Sequence, residues 1–132
     1  NNATLAGHVE VGDWAILGGL AAVHQWSRIG CHSFIGGLAA VTRDLLPFGM
    51  AVGNRANLEG INLIGMRRRN FSKSEIDEVK KVYSILFNAN DLEFKNKINK
   101  LKEEKFSSDP AKIITDFVNV ETNRAYVSPT EI

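Results

Sequence analysis

Seven aliphatic residues stand at an unbroken spacing of six: Leu5, Val11, Leu17, Val23, Ile29, Ile35 and Val41. A compact residue follows most of them, at Ala6, Gly12, Gly18, Gly30 and Gly36. Four places after each aliphatic comes a further small or compact position, at Val9, Ala15, Ala21, Ser27, Ser33 and Ala39. An amphipathic helix repeats at about 3.6 residues and a half-buried strand at about 2. A period of six with one aliphatic and one small residue turned inward predicts a parallel β-helix built from hexapeptides. Three hexapeptides close one triangular coil, so residues eighteen apart should stack: Leu5 on Val23 on Val41, Val11 on Ile29, and Leu17 on Ile35.

Each coil buries its aliphatic column only against its neighbours, so about three repeats or more are needed for stability. The chain holds little more than two coils and opens in mid-pattern with Asn1-Asn2-Ala3-Thr4. It reads as the C-terminal piece of a longer solenoid, whose raw N-terminal edge would need a cover.

The rhythm stops after Pro47, where Gly49, Gly53, Gly60 and Gly65 punctuate a loop-rich connector. Helical signals follow. Ser72 and Glu75 form a capping box ahead of Ile76, Val79, Tyr83 and Leu86 at helical spacing. A second helix is predicted from near Asp91, with Phe94, Ile98 and Leu101 on one face. Asp109-Pro110 reads as N-cap and first-turn proline of a third, carrying Ile113, Ile114, Phe117 and Val118. The last eight residues, polar and broken by Pro129, are expected to fray. The predicted organisation is solenoid coils over 1–48, a connector over 49–71 and a three-helix unit over 72–132.

Composition narrows the function classes. At 132 residues with 44% hydrophobic and 23% charged, the chain makes one or two small domains. No apolar run is long enough to span a bilayer, and no signal-peptide pattern is present. The single Cys31 excludes an internal disulfide and fits a reducing cytoplasm; it reads as a small packed corner residue rather than a nucleophile. Net charge is +1, but residues 67–132 hold thirteen of the sixteen basic side chains. Arg67-Arg68-Arg69 is either a solvated face or a site for phosphate or an acidic partner, because guanidinium forks bind such groups bidentately. No broad basic stripe with interleaved aromatics accompanies it, which argues against nucleic acid.

Four segments carry a family resemblance: Asn1-Asn-Ala-Thr-Leu-Ala-Gly-His8, Ala22-Val-His24-Gln25, Gly53-Asn54, and Gly60-Ile-Asn62-Leu-Ile-Gly-Met-Arg-Arg-Arg69-Asn-Phe71. Together they resemble UDP-N-acetylglucosamine acyltransferase, which carries out the first committed step of lipid A synthesis. The resemblance implies a mixed β and α fold, a left-handed parallel β-helix followed by a small helical domain, assembled as a cytoplasmic homotrimer with sites between subunits. It implies transfer of a 3-hydroxyacyl group from acyl carrier protein to the 3-hydroxyl of UDP-N-acetylglucosamine, with no metal or protein-bound cofactor. Such chemistry needs a base, an oxyanion donor and cations for phosphates.

Residue by residue, Gly7 matches the oxyanion N–H and His8 a substrate-contacting active-site histidine. His24 and Gln25 match the lining of the cleft near sugar and acyl chain. Asn62, Arg68 and Arg69 match the residues that hold the nucleotide and the carrier's phosphopantetheine arm. Gly37 matches the position that measures acyl length, and Arg55 replaces a histidine near the acyl end. Ile64 stands where some relatives have a glutamate. His32 matches no family role; eighteen residues from Trp14, it reads as structural. The family's catalytic base, a His in a His-Asp pair, falls upstream of Asn1, so the resemblance implies that this segment alone binds substrate without turning it over. Other readings are a sister hexapeptide acyltransferase, a non-catalytic trimerisation or carrier-binding module, and a γ-class carbonic anhydrase. The last needs three zinc-binding histidines, which spacings of sixteen and eight do not supply.

Overall fold

The computed structural model describes residues 1–88 and 93–130. Seven two-residue strands open the chain: β1 (Thr4–Leu5), β2 (Glu10–Val11), β3 (Ile16–Leu17), β4 (Ala22–Val23), β5 (Arg28–Ile29), β6 (Phe34–Ile35) and β7 (Ala40–Val41). They pair in parallel at a spacing of eighteen, so Leu5 lies beside Val23 and Val23 beside Val41, Val11 beside Ile29, and Leu17 beside Ile35. Three faces result: β1-β4-β7, β2-β5, and a third begun by β3-β6. Burial deepens along the solenoid. Leu5 and Val11 are 47% and 41% exposed, whereas Val23, Ile29, Ile35 and Val41 are buried. The second inward position is also filled tightly, by Ala21, Ser27, Ser33 and Ala39.

Glycine at the position after the aliphatic is a packing requirement. A Cβ on Gly12 would stand 2.5 Å from the Cys31 nitrogen of the next coil, and one on Gly30 would strike Pro47. The corners work differently. Asn2, His8, Trp14, Leu20, Trp26, His32 and Leu38, again six apart, all have φ between 55° and 71°. That left-handed conformation costs about 1–2 kcal/mol for a residue with a side chain. From the second coil on it aims the corner N–H at the preceding coil, where Leu20 donates to Asn1 O, Trp26 to Gly7 O, His32 to Asp13 O and Leu38 to Gly19 O, at 2.9–3.1 Å.

The coil runs past the boundary expected at residue 48. Ile29 bridges Leu45, and Phe34–Ile35 pair with Met50–Ala51, a spacing of sixteen. The third coil therefore drops two residues at one corner, which hides its continuation from a strict six-residue count. β8 (Gly49–Val52) completes the third face and pairs antiparallel with β9 (Asn57–Ile61). The stretch read as loop thus holds a hairpin and a short helix, α1 (Leu63–Arg68).

The three-helix unit comprises α2 (Lys73–Leu86), α3 (Phe94–Lys102) and α4 (Asp109–Val118). The Ser72/Glu75 capping box is formed, and Ile76, Val79, Val82, Tyr83 and Leu86 are buried. The start expected near Asp91 lies outside the described residues. Ser108, not Asp109, is the N-cap of α4. Its N–H and that of Ser107 are taken up by Glu78 of α2, at 2.8 and 3.0 Å. Hydrogen bonding from Ser108, then Ser107, lowers the Glu78 carboxyl to about 2.

Over residues 125–128 the C-terminal segment is held in place rather than frayed as expected, while 131–132 lie outside the described residues. Asp44 N–H donates to Ala125 O and Val127 N–H to Asp44 O, while Leu58 N–H donates to Ser128 O. Tyr126 and Val127 are buried. The anchor is Asp44, fully buried, which accepts from Arg28 Nε at 2.8 Å and Arg124 Nε at 2.7 Å.

Candidate functional site

In a triangular coil, residues at equivalent corners share an edge. His8 and Trp26 occupy one edge, their rings 4.0 Å apart and 5° from parallel. Gly7 precedes His8, and the Gln25 amide lies against it, since a Cβ on Gly7 would meet Gln25 Nε2 at 3.4 Å. The Gly7 N–H makes no hydrogen bond to any of the described residues, while its carbonyl accepts from Trp26. His24 Nδ1 lies 3.3 Å from Gln25 O. This edge therefore combines an uncommitted backbone donor, an imidazole in a fixed plane and an exposed amide. Beside it a groove of about 360 Å³ is lined by His8, Glu10, Trp26, Arg28, Glu121 and Arg124, among others.

The basic cluster lies on another edge. Trp14 and His32 stack there, with rings 6.5 Å apart and 26° from parallel, and His32 stacks on Phe48 at 5.3 Å and 7°. The Arg69 guanidinium carbon sits 3.3 Å from the centroid of Trp14. Asn62 accepts from Gly65 N at 3.2 Å to cap α1, and its Nδ2 donates to His32 O at 3.0 Å. Its amide is therefore occupied in fixing α1 to this edge, with Arg68 and Arg69 at the far end of the helix and exposed. Burial lowers the His32 imidazole below its ordinary value, Arg69 lowers it further, and Asp13 opposes both. Burial likewise raises the Cys31 thiol, which keeps it protonated.

The third edge carries Leu20 and Leu38, both exposed, with Gly37 beside Leu38. A Cβ on Gly37 would meet Gly19 O at 3.2 Å. Ala40 N–H donates to Asn54 O, which brings the turn holding Arg55 to the same edge, one coil on. Between this edge and that of His8 runs the face β1-β4-β7, whose outward residues are Thr4, Ala22 and Ala40, all exposed. It is a flat strip of small side chains.

The structure thus groups Gly7, His8, His24 and Gln25 together, Asn62, Arg68 and Arg69 together, and Gly37 with Arg55. It does not bring His8 and Arg69 together within one chain. Trp14 and Trp26 were missed as site residues, although each stands eighteen residues from a histidine and at a corner of the six-residue register. Among the described residues, no group of three or more His, Cys, Asp or Glu could hold a metal, and no helix is long and apolar enough to cross a membrane.

The family model for UDP-N-acetylglucosamine O-acyltransferase, domain 2, matches residues 44–127. The chain belongs to the UDP-N-acetylglucosamine O-acyltransferase family. Over 121 residues it is 46% identical to the acyl-[acyl-carrier-protein]–UDP-N-acetylglucosamine O-acyltransferase of Burkholderia thailandensis, covering 89% of this chain and 46% of that protein. Among solved structures it is similar to the UDP-N-acetylglucosamine acyltransferase of Campylobacter jejuni, with TM-score 0.83 and 36% identity over 100% of this chain and 50% of that one. The corresponding enzyme of Francisella novicida matches with TM-score 0.88 and 32% identity, over 97% and 46%. The chain spans about half the length of the curated relatives it matches. Its fold is the acyltransferase family's left-handed parallel β-helix with a C-terminal helical unit.

Proposed function

We propose that the chain forms part of an enzyme that moves a 3-hydroxyacyl group from acyl carrier protein to the 3-hydroxyl of UDP-N-acetylglucosamine, the first step of lipid A synthesis. It acts in the cytoplasm as a homotrimer. The observation that carries this reading is the separation of His8 and Arg69 onto different edges of one coil. A cyclic arrangement of three copies sets one edge of each subunit against a different edge of its neighbour. A single site can then combine His8 of one copy with Arg69 of another.

In that site the thioester oxygen gains charge as the sugar hydroxyl attacks, and the Gly7 N–H, which makes no hydrogen bond to any of the described residues, donates to it. His8 and Gln25 orient the sugar. Arg68 and Arg69 take phosphate oxygens, and Asn62 positions them. The acyl chain lies along the strip of Thr4, Ala22 and Ala40 toward Gly37 and Arg55, where an alkyl tail meets small side chains and no charge until Arg55. The base that takes the sugar hydroxyl's proton is, on this reading, the family's His of a His-Asp pair, which matches no position of these 132 residues.

Transfer of a radiolabelled 3-hydroxyacyl group from its carrier to UDP-N-acetylglucosamine tests this, together with calorimetric titration of the nucleotide sugar. The 132-residue chain binds the nucleotide sugar weakly, and its turnover is about 10²–10⁴-fold below that of a chain extended to its relatives' length. Comparable turnover by both would misplace the base. No turnover by the extended chain would leave a binding module.

A further inference from the structure

Trp14 occupies a position that neither backbone preference nor burial explains. Its φ is 62°, a conformation that disfavours bulky side chains, and it is 57% exposed. What it touches accounts for it. One face of the indole carries the Arg69 guanidinium at 3.3 Å, and the ring stacks in turn on His32. His32 and Phe48 are braced edge-on by Phe71, at 5.1 and 5.6 Å. Arg69 sits at the C-cap of α1, and its N–H bonds Gly65 O at 3.1 Å. Asn62 ties the other end of that helix to the same ladder through His32 O. Backbone and side chain of Arg69 are thus fixed to one column of rings.

The geometry of the contact matters. Stacking uses the face of the guanidinium and leaves its in-plane N–H fork unspent. Among the described residues, Arg69 has no carboxylate partner. A guanidinium whose carbon sits 3.3 Å over the indole centroid is too close to turn an edge toward the ring, so its donors lie free at the rim, set to take two oxygens of a phosphate side by side.

We propose that Trp14 is a positioning residue for phosphate binding, a platform that holds the Arg69 guanidinium in its binding plane. This rests on the assignment of Arg69 to substrate phosphate. That phosphate belongs either to the diphosphate of the nucleotide sugar or to the phosphodiester of the carrier's arm, and both present the same pair of oxygens.

The test is steady-state transfer by a chain extended to its relatives' length, varying each substrate in turn, with Trp14→Leu, Trp14→Phe, Arg69→Ala and the Trp14→Leu/Arg69→Ala double variant. Trp14→Leu raises the KM of one phosphate-bearing substrate about two- to fivefold with kcat unchanged, as an exposed cation–π contact allows. Trp14→Phe restores it, and the double variant is no worse than Arg69→Ala alone. A rise for the nucleotide sugar only assigns Arg69 to the diphosphate; a rise for the acylated carrier only assigns it to the phosphodiester. Additive losses, an unchanged KM in Trp14→Leu while Arg69→Ala raises it, or a fall in kcat and melting temperature that Trp14→Phe does not repair would each overturn the platform role. No effect of Arg69→Ala at low salt would remove the phosphate assignment itself, and the platform with it.

Discussion

Arg124 reaches back eighty residues to set its Nε 2.7 Å from Asp44 Oδ1. Arg28 holds the other carboxylate oxygen at 2.8 Å, and its own N–H donates to Oδ1 at 3.0 Å. Arg28 also bonds Phe117 O and Tyr126 Oη, so one buried carboxylate gathers the solenoid, α4 and the C-terminal segment. Arg124 Nη2 extends the cluster to buried Ser27.

Removing a buried acid that neutralises two cations leaves charge uncompensated. Asp44→Ala should cost about 3–5 kcal/mol, toward the lower end because both arginines are partly exposed. Arg124→Leu should cost less and should expose the C-terminal segment to protease. Urea unfolding followed by circular dichroism measures the first. A loss under about 1 kcal/mol would show the cluster to be a surface pair in energetic terms.

His32 should make stability fall on mild acidification. Its folded value is held below the ordinary 6.5, so the unfolded chain takes the proton first. Stability is therefore full above about pH 6.5 and declines as pH drops through that value toward the folded one. His32→Phe, a ring of similar reach between Trp14 and Phe48, should flatten the dependence between pH 7 and 5 in thermal melts. An unchanged slope would place the titrating group elsewhere.

A second, more acidic window belongs to Glu78. Lowered from 4.5 to about 2, its carboxylate supports the start of α4 above about pH 4.5 and loses that role as pH falls toward 2. Glu78→Gln should remove this slope while leaving the His32 window intact. Melting curves between pH 5 and 3 separate the two.

Gly37→Leu should shorten the acyl chain accepted by the extended enzyme. The glycine is exposed at the end of the small-residue strip, and its added Cβ would crowd Gly19 O. Transfer assays with a series of acyl lengths should show the optimum falling by several carbons. An unchanged optimum would return Gly37 to a tight corner.

How much of this was legible in sequence differs by element. The aliphatic period gave the coils and their register, because each inward residue has the same job in every turn. It could not reveal the shortened coil, where a two-residue deletion before Leu45 keeps the stacking while shifting the count. The connector's β8, β9 and α1 were hidden by Gly49, Gly53, Gly60 and Gly65, which read as breakers; Gly53 and Gly60 do sit at positive φ, but between or within strands. The C-terminal segment looked polar, yet Tyr126 and Val127 are buried, and the backbone of Asp44 that holds the segment is a partner no local pattern identifies. Arg68 and Arg69 were legible as a candidate phosphate site from their charge alone, whereas Gly7, His8, His24, Gln25, Gly37, Arg55 and Asn62 came only through family resemblance. The aromatic partners Trp14 and Trp26 were open to a bottom-up reading, since the corners repeat at six as strictly as the aliphatics do.

The central claim is that one site draws on two edges from two copies, and subunit exchange tests it most directly. Extended chains bearing His8→Ala and Arg69→Ala are purified separately, assayed at substrate well below KM so that each is strongly impaired, then mixed under conditions that allow trimers to re-form. Where an intact His8 edge meets an intact Arg69 edge, activity should return. Random mixing of equal amounts predicts about a quarter of wild-type activity per subunit. Mixed trimers that stay at the level of the separate variants would contradict the account.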